Sequence, residues 1–279
     1  MLLKRLRETL TEPATRTLDV DTSDMTLVHR KVLLNKRMLR RMFEEFYAQC
    51  RRLDERFFAG CAGPRLEIGS GSSIIKEFWP DVLTSDIKPL PFVDHVVDAQ
   101  AMPFADASLR AIYGINVFHH LPRPRLFFRE AIRVLQPGGG VVFIEPYHGV
   151  FARWLFPRLH DSEIFDMTAP VWESDLQSGP CSGANQALSG IIFNRDRDRF
   201  CSEFPQLELV LDRPHTHLSY VLSGGVNFRQ LVPGWADGLV PLMESALSPL
   251  NRWIALQHTI VLRKQRLPDD GGLRLPRAA

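Results

Sequence analysis

The sequence has few of the features that identify disulfide-linked, metal-binding, secreted or membrane proteins. It contains four cysteines among 279 residues and no CxxC pair, so neither a disulfide framework nor a bound metal ion is indicated. No apolar run approaches the roughly 20 residues that span a bilayer. The chain starts with MLLKRLRE, which has no apolar stretch of signal-peptide length. We therefore expect a cytoplasmic protein without a transmembrane segment.

The sequence also lacks an excess of charge of either sign. Lys and Arg number 34 and Asp and Glu number 32, which gives a formal net charge of +2. A dedicated nucleic-acid-binding protein normally carries a basic face large enough to move this total. The hydrophobic share of 45% is ordinary for a globular chain that buries a core. The composition therefore favours a globular protein that does not act on nucleic acid.

Residues 1–63 are predicted to form a helical extension. Their apolar residues recur at three- and four-residue steps, which is the pattern of one buried helix face. The residues of this stripe are Leu34, Met38, Leu39, Met42, Phe43, Phe46, Cys50, Leu53 and Phe57. Such a helix packs on the main domain, caps a substrate pocket or makes peripheral contact with a membrane surface. Acidic residues interleaved with the basic ones favour the packed helix.

Residues 64–147 alternate short apolar runs with helical stretches. The runs precede glycines or acidic residues, and the sequence PGGG at 137–140 is expected to end a helix near 124–136 and turn the chain into a strand at 141–145. Strands that are apolar on both faces and separated by helices form a parallel sheet covered on two sides. The pattern predicts a doubly wound α/β fold.

The rest of the chain is predicted from weaker patterns. An aromatic-rich insertion at 148–206 is long enough to act as a lid or a substrate platform. Strand material is expected at 207–210, 218–222 and 253–262, a helix near 235–249, and a disordered tail at 266–279. His215 and His217 would share one face of a strand, but no third ligand has the spacing of a metal site.

A glycine-rich loop follows the first predicted strand. Leu66–Ser73 reads LEIGSGSS, so a strand ends in glycines and is expected to open a helix whose N-terminus favours an anionic group. The dinucleotide-binding fingerprint needs a third glycine at position 74, where this chain has Ile74. Glu67, two residues before the first glycine of the loop, is also not part of that fingerprint. The loop therefore favours an anionic ligand other than a dinucleotide.

Two further acidic residues end the next two predicted strands. Asp86 lies 15 residues after Gly71, where a carboxylate can accept hydrogen bonds from a ribose diol. Asp98 ends the third strand and is followed by the apolar Met102–Phe104, which suits an adenine ring. The carboxyl ends of parallel strands line the ligand crevice of a doubly wound sheet. Three acids at successive strand ends therefore predict one binding site.

These motifs resemble the class I S-adenosylmethionine-dependent methyltransferases, particularly the type 11 group. The resemblance covers about 64–147 and rests on the motifs Leu66–Ser73, Asp86, Val97–Ala99, Met102–Phe104, Asn116–Leu121 and Arg133–Gly139. It implies a Rossmann-like, mostly parallel seven-stranded sheet over 64–265, whose last strand is antiparallel. One departure is Ser73, which stands where the family usually has a third glycine; serine is small enough to pack there.

The resemblance implies S-adenosyl-L-methionine as the cofactor. Its aminocarboxylate would lie over the glycine loop, its ribose on Asp86 and its adenine near Asp98, with Asn116 in backbone contact. The full predicted set of cofactor-binding residues is Glu67, Gly69, Ser70, Gly71, Asp86, Ile87, Asp98, Ala99 and Asn116.

Methyl transfer from a sulfonium needs a nucleophile held in line and, for a hydroxyl or amine, a base. His119 and His120 follow the fourth strand, and an imidazole titrates near neutrality, so they are the candidate bases. Family members often have a histidine here without a catalytic duty. The predicted substrate rim consists of Glu145, Tyr147, His148 and Asn185.

The leading hypothesis is a methyltransferase that acts at oxygen on a small-molecule, lipid-linked or saccharide-linked acceptor. The segment Asn116–His119 lacks the Asn/Asp-Pro-Pro-aromatic pattern of family members that methylate amines of nucleic-acid bases. Two alternatives stay open. One is a non-catalytic binding subunit with the same fold, and the other is a nicotinamide-dependent oxidoreductase, against which Ile74 argues.

Overall fold

The structure is a computed structural model. The residues that it describes are 9–16, 18–159, 162–174, 179 and 181–266. Apart from Arg266, the tail predicted at 266–279 lies outside the described residues. Within the described part of the chain, no helix is long and apolar enough to cross a membrane.

Seven strands form one twisted sheet in the order β3-β2-β1-β4-β5-β7-β6. They are β1 (Arg65–Glu67), β2 (Val82–Asp86), β3 (His95–Val96), β4 (Leu109–Ile115), β5 (Leu135–Pro146), β6 (Leu207–His215) and β7 (Gln257–Lys264). The first five strands pair in parallel, whereas β7 pairs antiparallel to both β5 and β6. The predicted doubly wound, mostly parallel fold is confirmed.

Helices cover both faces of the sheet. They are α1 (Ser23–Asn35), α2 (Arg37–Phe57), α3 (Pro124–Val134), α4 (Val150–Leu159), α5 (Arg197–Glu203), α6 (Leu218–Ser223), α7 (Val240–Leu247) and α8 (Asn251–Ile254). One apolar cluster joins α3 and the helical residues 188–204 to the sheet, and a second joins α1 and α2 to the opposite face. Because β4 and β5 lie between the two clusters, their central residues are buried on both sides.

Lys36 divides the N-terminal apolar stripe into two helices. Its backbone is extended, so α1 ends before it and α2 begins after it. The Lys36 ammonium donates hydrogen bonds to the carbonyl oxygens of Gly225 (3.1 Å) and Phe228 and pairs with Glu12 at 3.1 Å. The Lys36 ammonium thus provides both carbonyl oxygens with a charged hydrogen-bond donor. In a continuous helix the Lys36 side chain would point in another direction. The stripe residues of α2 pack on the sheet, as in the hypothesis of a packed helix.

Three local expectations are wrong. Residues 218–222 form helix α6 rather than a strand, because the His217 imidazole accepts the Leu218 N–H at the N-cap and Gly224 ends the helix with a φ of 71°. His215 and His217 therefore share no strand face. The PGGG run belongs to β5 itself, opposite a register shift between Leu109 and Ala111 of β4.

The glycine loop does not open a long helix either. The residues after it form only a single 3₁₀ turn, Ile75–Glu77. Ile74 and Ile75 are both buried in the core, and Pro80 follows within a few residues, which disfavours a helical conformation at Trp79. The expected helix N-terminus is therefore absent from the loop, and its ligand must be held by side chains and loop N–H groups.

A buried carboxylate joins α2 to the sheet. Asp54 is fully buried and accepts hydrogen bonds from the Arg110 guanidinium (2.7–3.1 Å), the Tyr113 hydroxyl (3.0 Å) and Arg65 Nη2 (3.3 Å). A carboxylate with this many donors is compensated for the loss of water. Removing it leaves a buried guanidinium without its counter-charge.

We expect Asp54→Ala to lower the free energy of unfolding by about 3 kcal/mol, because breaking a buried charge pair strands the partner charge. The measurement is urea unfolding followed by circular dichroism. The neighbouring Glu55→Ala is the matched control, since the Glu55–Arg51 pair is solvent-exposed and worth under about 1 kcal/mol. Equal stability of the two variants would contradict the assigned role of Asp54.

Candidate functional site

A cavity of about 880 Å³ opens at the carboxyl ends of β1, β2 and β4. This volume lies within the usual range of ligand sites, about 300–1,000 Å³. Of the predicted site residues, those that line it are Glu67, Gly69, Gly71, Asp86, Ile87, Asp98, Ala99, Asn116 and His120. The strand-end acids therefore surround one space, as expected for an open α/β sheet.

Gly69 is required at its position in the loop. Its φ is 59°, and a Cβ placed there would lie 2.1 Å from Cγ2 of Val117, in the turn after β4. The loop after β1 and the turn after β4 thus pack directly against each other. This contact sets the floor of the cavity between the two strands.

Ser70 holds the loop rather than facing the cavity. Its hydroxyl accepts the Ser85 N–H at 3.1 Å and donates to the Glu67 carbonyl at 3.2 Å. The side chain is buried and does not line the cavity. The structure therefore assigns the predicted cofactor-binding Ser70 to the connection between β1 and β2.

The Asp86 carboxylate is oriented by two backbone donors. Gly71 N–H donates to its Oδ2 and Lys88 N–H to its Oδ1, each at 2.8 Å. Each carboxylate oxygen has two lone pairs, so both keep one for a ligand hydroxyl. The neighbouring Ile87 is about half exposed and lines the cavity beside it. The arrangement fits the diol recognition that was predicted for Asp86.

Two buried acceptors in the cavity wall lack donors among the described residues. They are Oε2 of Glu67 and Oδ1 of Asn116. Burial raises the pKa of Glu67 to about 7, although the hydroxyls of Ser73, Ser70 and Tyr47 partly offset this effect. Asn116 adopts a positive φ of 51° at the end of β4. Unsatisfied acceptors of this kind fit a cationic ligand group with several N–H donors, such as the ammonium of an amino acid.

Glu145 is fully buried behind the turn after β4. Its carboxylate accepts the N–H groups of Val117 and Phe118 at 2.8 Å each and lies 2.6 Å from Nδ1 of His119. Burial would lower the pKa of His119, but the adjacent Glu145 charge raises it above its usual value. Glu145 therefore positions the turn and is not on the substrate rim as predicted.

His119 and His120 converge on Glu163 of the insertion. Nε2 of His119 lies 3.8 Å from one Glu163 oxygen, and Nε2 of His120 lies 3.6 Å from the other. The Gln186 amide donates a hydrogen bond to Glu163. His120 lines the cavity, whereas His119 is buried behind it. The role of either histidine as a base stays a prediction.

The other predicted rim residues do not line the cavity. Asn185 exchanges hydrogen bonds with the Asp166 backbone at 2.8 and 3.0 Å and so ties the insertion together. The rings of Tyr147 and His148 pack against His258. Burial lowers the pKa of His148 to about 4, which keeps its ring neutral. These side chains follow β5 at the correct sheet edge but point elsewhere.

The N-terminal extension and the insertion supply cavity walls, as two of the alternatives for them allowed, but the sequence analysis did not single out the residues that line these walls. The additional lining residues include Thr26, His29, Phe43, Tyr47, Lys88, Cys181, Ser182, Gly183 and Ala184. Asp21 joins the two walls, because its carboxylate accepts the Cys181 N–H at 2.6 Å and the Ser182 N–H at 3.1 Å. Phe43 belonged to the predicted apolar stripe, without any sign that it faces a ligand, and Tyr47, four residues later, was not part of that stripe.

Comparison with known families decides the class of the domain. Residues 66–143 match the family model described as a methyltransferase domain. This segment is a class I S-adenosylmethionine-dependent methyltransferase domain. The predicted family and cofactor are thereby confirmed for this segment, and the nicotinamide alternative loses its basis. Ile74 agrees, since it is buried in the core at the place of the third dinucleotide glycine.

Curated relatives resemble this chain over part of its length. The fatty-acid O-methyltransferase of Mycolicibacterium smegmatis is 30% identical over 116 residues, which cover 42% of this chain and 35% of the relative. The phthiotriol/phenolphthiotriol dimycocerosates methyltransferase of Mycobacterium tuberculosis is 31% identical over 117 residues, covering 39% of this chain and 37% of the relative. The chain thus spans little more than a third of the length of these relatives.

Solved structures with similar chains include a geranyl diphosphate C-methyltransferase from Streptomyces coelicolor and a SAM-dependent methyltransferase from Archaeoglobus fulgidus. The first has a TM-score of 0.44 and 16% identity, covering 92% of this chain and 89% of its own. The second has a TM-score of 0.45 and 14% identity, covering 80% of this chain and 94% of its own.

We expect Gly69→Ala to weaken the binding of S-adenosylhomocysteine at least tenfold, because the added methyl group displaces Val117 and with it the floor of the cavity. Isothermal titration calorimetry measures the change. Gly234→Ala is the control, since a Cβ there meets nothing within 4 Å. Unchanged affinity in the Gly69 variant would show that the loop contact does not shape the site.

The buried Glu67 predicts a pH dependence of stability. Because its pKa rises from 4.5 to about 7 on folding, the folded protein holds a proton there that the unfolded chain releases. This contribution is fully present below pH 4.5 and is lost as the pH rises to about 7, a change of about 3 kcal/mol. Glu67→Gln should flatten this window in urea unfolding measured from pH 4 to 8, whereas the exposed Glu55→Gln should not. Parallel curves for wild type and Glu67→Gln would refute it.

Proposed function

We propose that the protein transfers the methyl group of S-adenosyl-L-methionine to an oxygen of an apolar, lipid-like acceptor. The observation that carries the proposal is the cavity itself. It combines the carboxylates of Glu67, Asp86 and Asp98 at one edge of the sheet with apolar side chains from the N-terminal extension and the turn after β4. A polar cofactor half and an apolar acceptor half are what such a transfer requires.

The residues present fit the cofactor. The unpaired acceptors of Glu67 and Asn116 suit its ammonium group, and the oriented Asp86 carboxylate suits its ribose hydroxyls. Asp98 and Ala99 would face the adenine side. When bound, the cofactor supplies an activated methyl group on a sulfonium. The chain's own task is then to orient the acceptor and to exclude water.

The cavity has apolar as well as acidic lining residues. Phe43, Leu121, Leu126 and Val226 are among its apolar lining residues, and Phe43 packs against the ring of Tyr47. The two curated relatives are named for a fatty acid and for phthiotriol/phenolphthiotriol dimycocerosates, which supports a lipid-like acceptor for this chain. A carboxylate or hydroxyl at one end of an apolar chain would bring its oxygen to the polar edge of the cavity.

The first experiment measures cofactor binding and turnover together. Calorimetric titration with S-adenosylmethionine should give micromolar affinity that Asp86→Ala weakens at least tenfold. The exposed Asp81→Ala is the control, since Asp81 precedes β2 outside the cavity. Radiolabelled cofactor is then incubated with medium- and long-chain fatty acids, phenolic lipids, tRNA and DNA.

The expected result is label in the organic extract from wild type and Asp81→Ala, and none from Asp86→Ala. Robust label in tRNA or DNA argues against the acceptor class. Cofactor binding without transfer to any acceptor favours the alternative of a non-catalytic binding subunit.

A further inference from the structure

Three metal-ligating side chains meet at the wall of the cavity. Nitrogen atoms of His119 and His120 and a carboxylate oxygen of Glu163 all lie within 4.8 Å of one another. The side chains are 3%, 18% and 13% exposed, so the group is largely shielded from water. We propose that this cluster, the His–His–Glu site, binds a divalent transition-metal ion, with zinc as the ion that fits best.

The distances are close to those of a coordinated ion. Zinc binds imidazole nitrogen and carboxylate oxygen at about 2.0–2.2 Å. Two such ligands in a tetrahedral shell lie roughly 3.4 Å apart. The distances from Glu163 to His119 Nε2 and to His120 Nε2 are 3.8 and 3.6 Å. The two distances run to different oxygens of Glu163, and the three ligand atoms lie within 4.8 Å of one another. Side-chain rotations that move these atoms by up to roughly 1 Å therefore close the site around an ion.

Outer partners already orient two of the three ligands. Glu145 lies 2.6 Å from Nδ1 of His119, which fixes the hydrogen on Nδ1 and directs the Nε2 lone pair at Glu163. The Gln186 amide holds Glu163 in turn. An Nε2 lone pair that faces the Glu163 carboxylate is repelled by it, and either a proton or a metal cation on Nε2 removes this repulsion. A carboxylate–histidine–metal arrangement satisfies both groups.

The ligand set selects the kind of ion. Two imidazoles and one carboxylate suit zinc and its first-row neighbours, whereas magnesium and calcium prefer oxygen ligands alone. Three protein ligands leave a coordination position for water or substrate. Because His120 lines the cavity, the ion would lie at its wall. If the proposed methyl transfer is correct, an ion there lowers the pKa of an acceptor hydroxyl.

The proposed site changes two expectations from the sequence, namely that His119 and His120 are candidate bases and that no metal is bound. A metal-bound imidazole has no lone pair left to accept a proton, so both candidate bases become ligands. The expectation of no metal rested on cysteine spacing, which does not report on a site built from histidines and a distant glutamate.

The test uses the full chain after removal of metal with a chelator and dialysis. Calorimetric titration with Zn²⁺ should show one ion per chain, and Co²⁺ should give visible absorption bands of a tetrahedral or five-coordinate site. Glu163→Gln and His120→Gln should each weaken Zn²⁺ binding at least tenfold and abolish the Co²⁺ bands. His95→Gln, on the distant strand β3, should leave both unchanged.

Far-UV circular dichroism and urea unfolding of the same variants report folding. The site would be overturned, and the cluster assigned to an ion pair alone, if Glu163→Gln and His120→Gln left zinc affinity and stoichiometry unchanged. Should one variant fail to fold, the other decides. If the wild-type protein binds zinc but no cofactor, the metal site stands and the proposed function is refuted. If it binds the cofactor but no zinc, the metal site is refuted and the proposed function stands.

Discussion

The candidate site depends on one buried carboxylate. Glu145 projects from β5, next to the central strand β4, and accepts hydrogen bonds from three N–H groups of the turn after β4 and from the His119 ring. That turn carries Val117, which packs on Gly69, and His120, which lines the cavity. A full set of donors makes this burial tolerable, and it fixes the turn in one arrangement. The turn after β4 thus helps to position the glycine loop, Asn116 and the His–His–Glu site.

The N-terminal extension is a part of the site as well as of the core. Its stripe residues pack on the sheet, and Asp54 anchors the same helix through Arg110. Phe43 and Tyr47 of that helix then line the cavity, and Asp21 holds the insertion by its backbone. A chain cut before β1 would keep the strand-end acids but lose one wall. The elements outside the segment that matches the methyltransferase family model therefore shape the cavity as well.

The parts of the site that could be predicted are those that sheet geometry dictates. Parallel strands bring their carboxyl ends to one edge, so Asp86 and Asp98 could be placed from strand order alone. Side-chain direction could not be predicted in this way. Glu145 lies at the same edge but turns inward, and Ser70 closes the loop. Glu163 was out of reach for another reason: it comes from an insertion whose approach to β4 depends on tertiary packing.

Two buried glutamates in this domain differ in how far hydrogen-bond donors compensate their burial. Glu145 has donors for both of its oxygens, so its burial strengthens the structure. Glu67 keeps one buried oxygen unpaired among the described residues, and its pKa rises to about 7 because the charged form is poorly solvated. A core that needed only stability would place an apolar residue there. The retained cost of Glu67 is physically reasonable if a cationic ligand group supplies the missing donor, since the charge then becomes compensated only on binding. A ligand ammonium group beside Glu67 would relieve this cost, and the free energy so relieved would add to the affinity of the ligand.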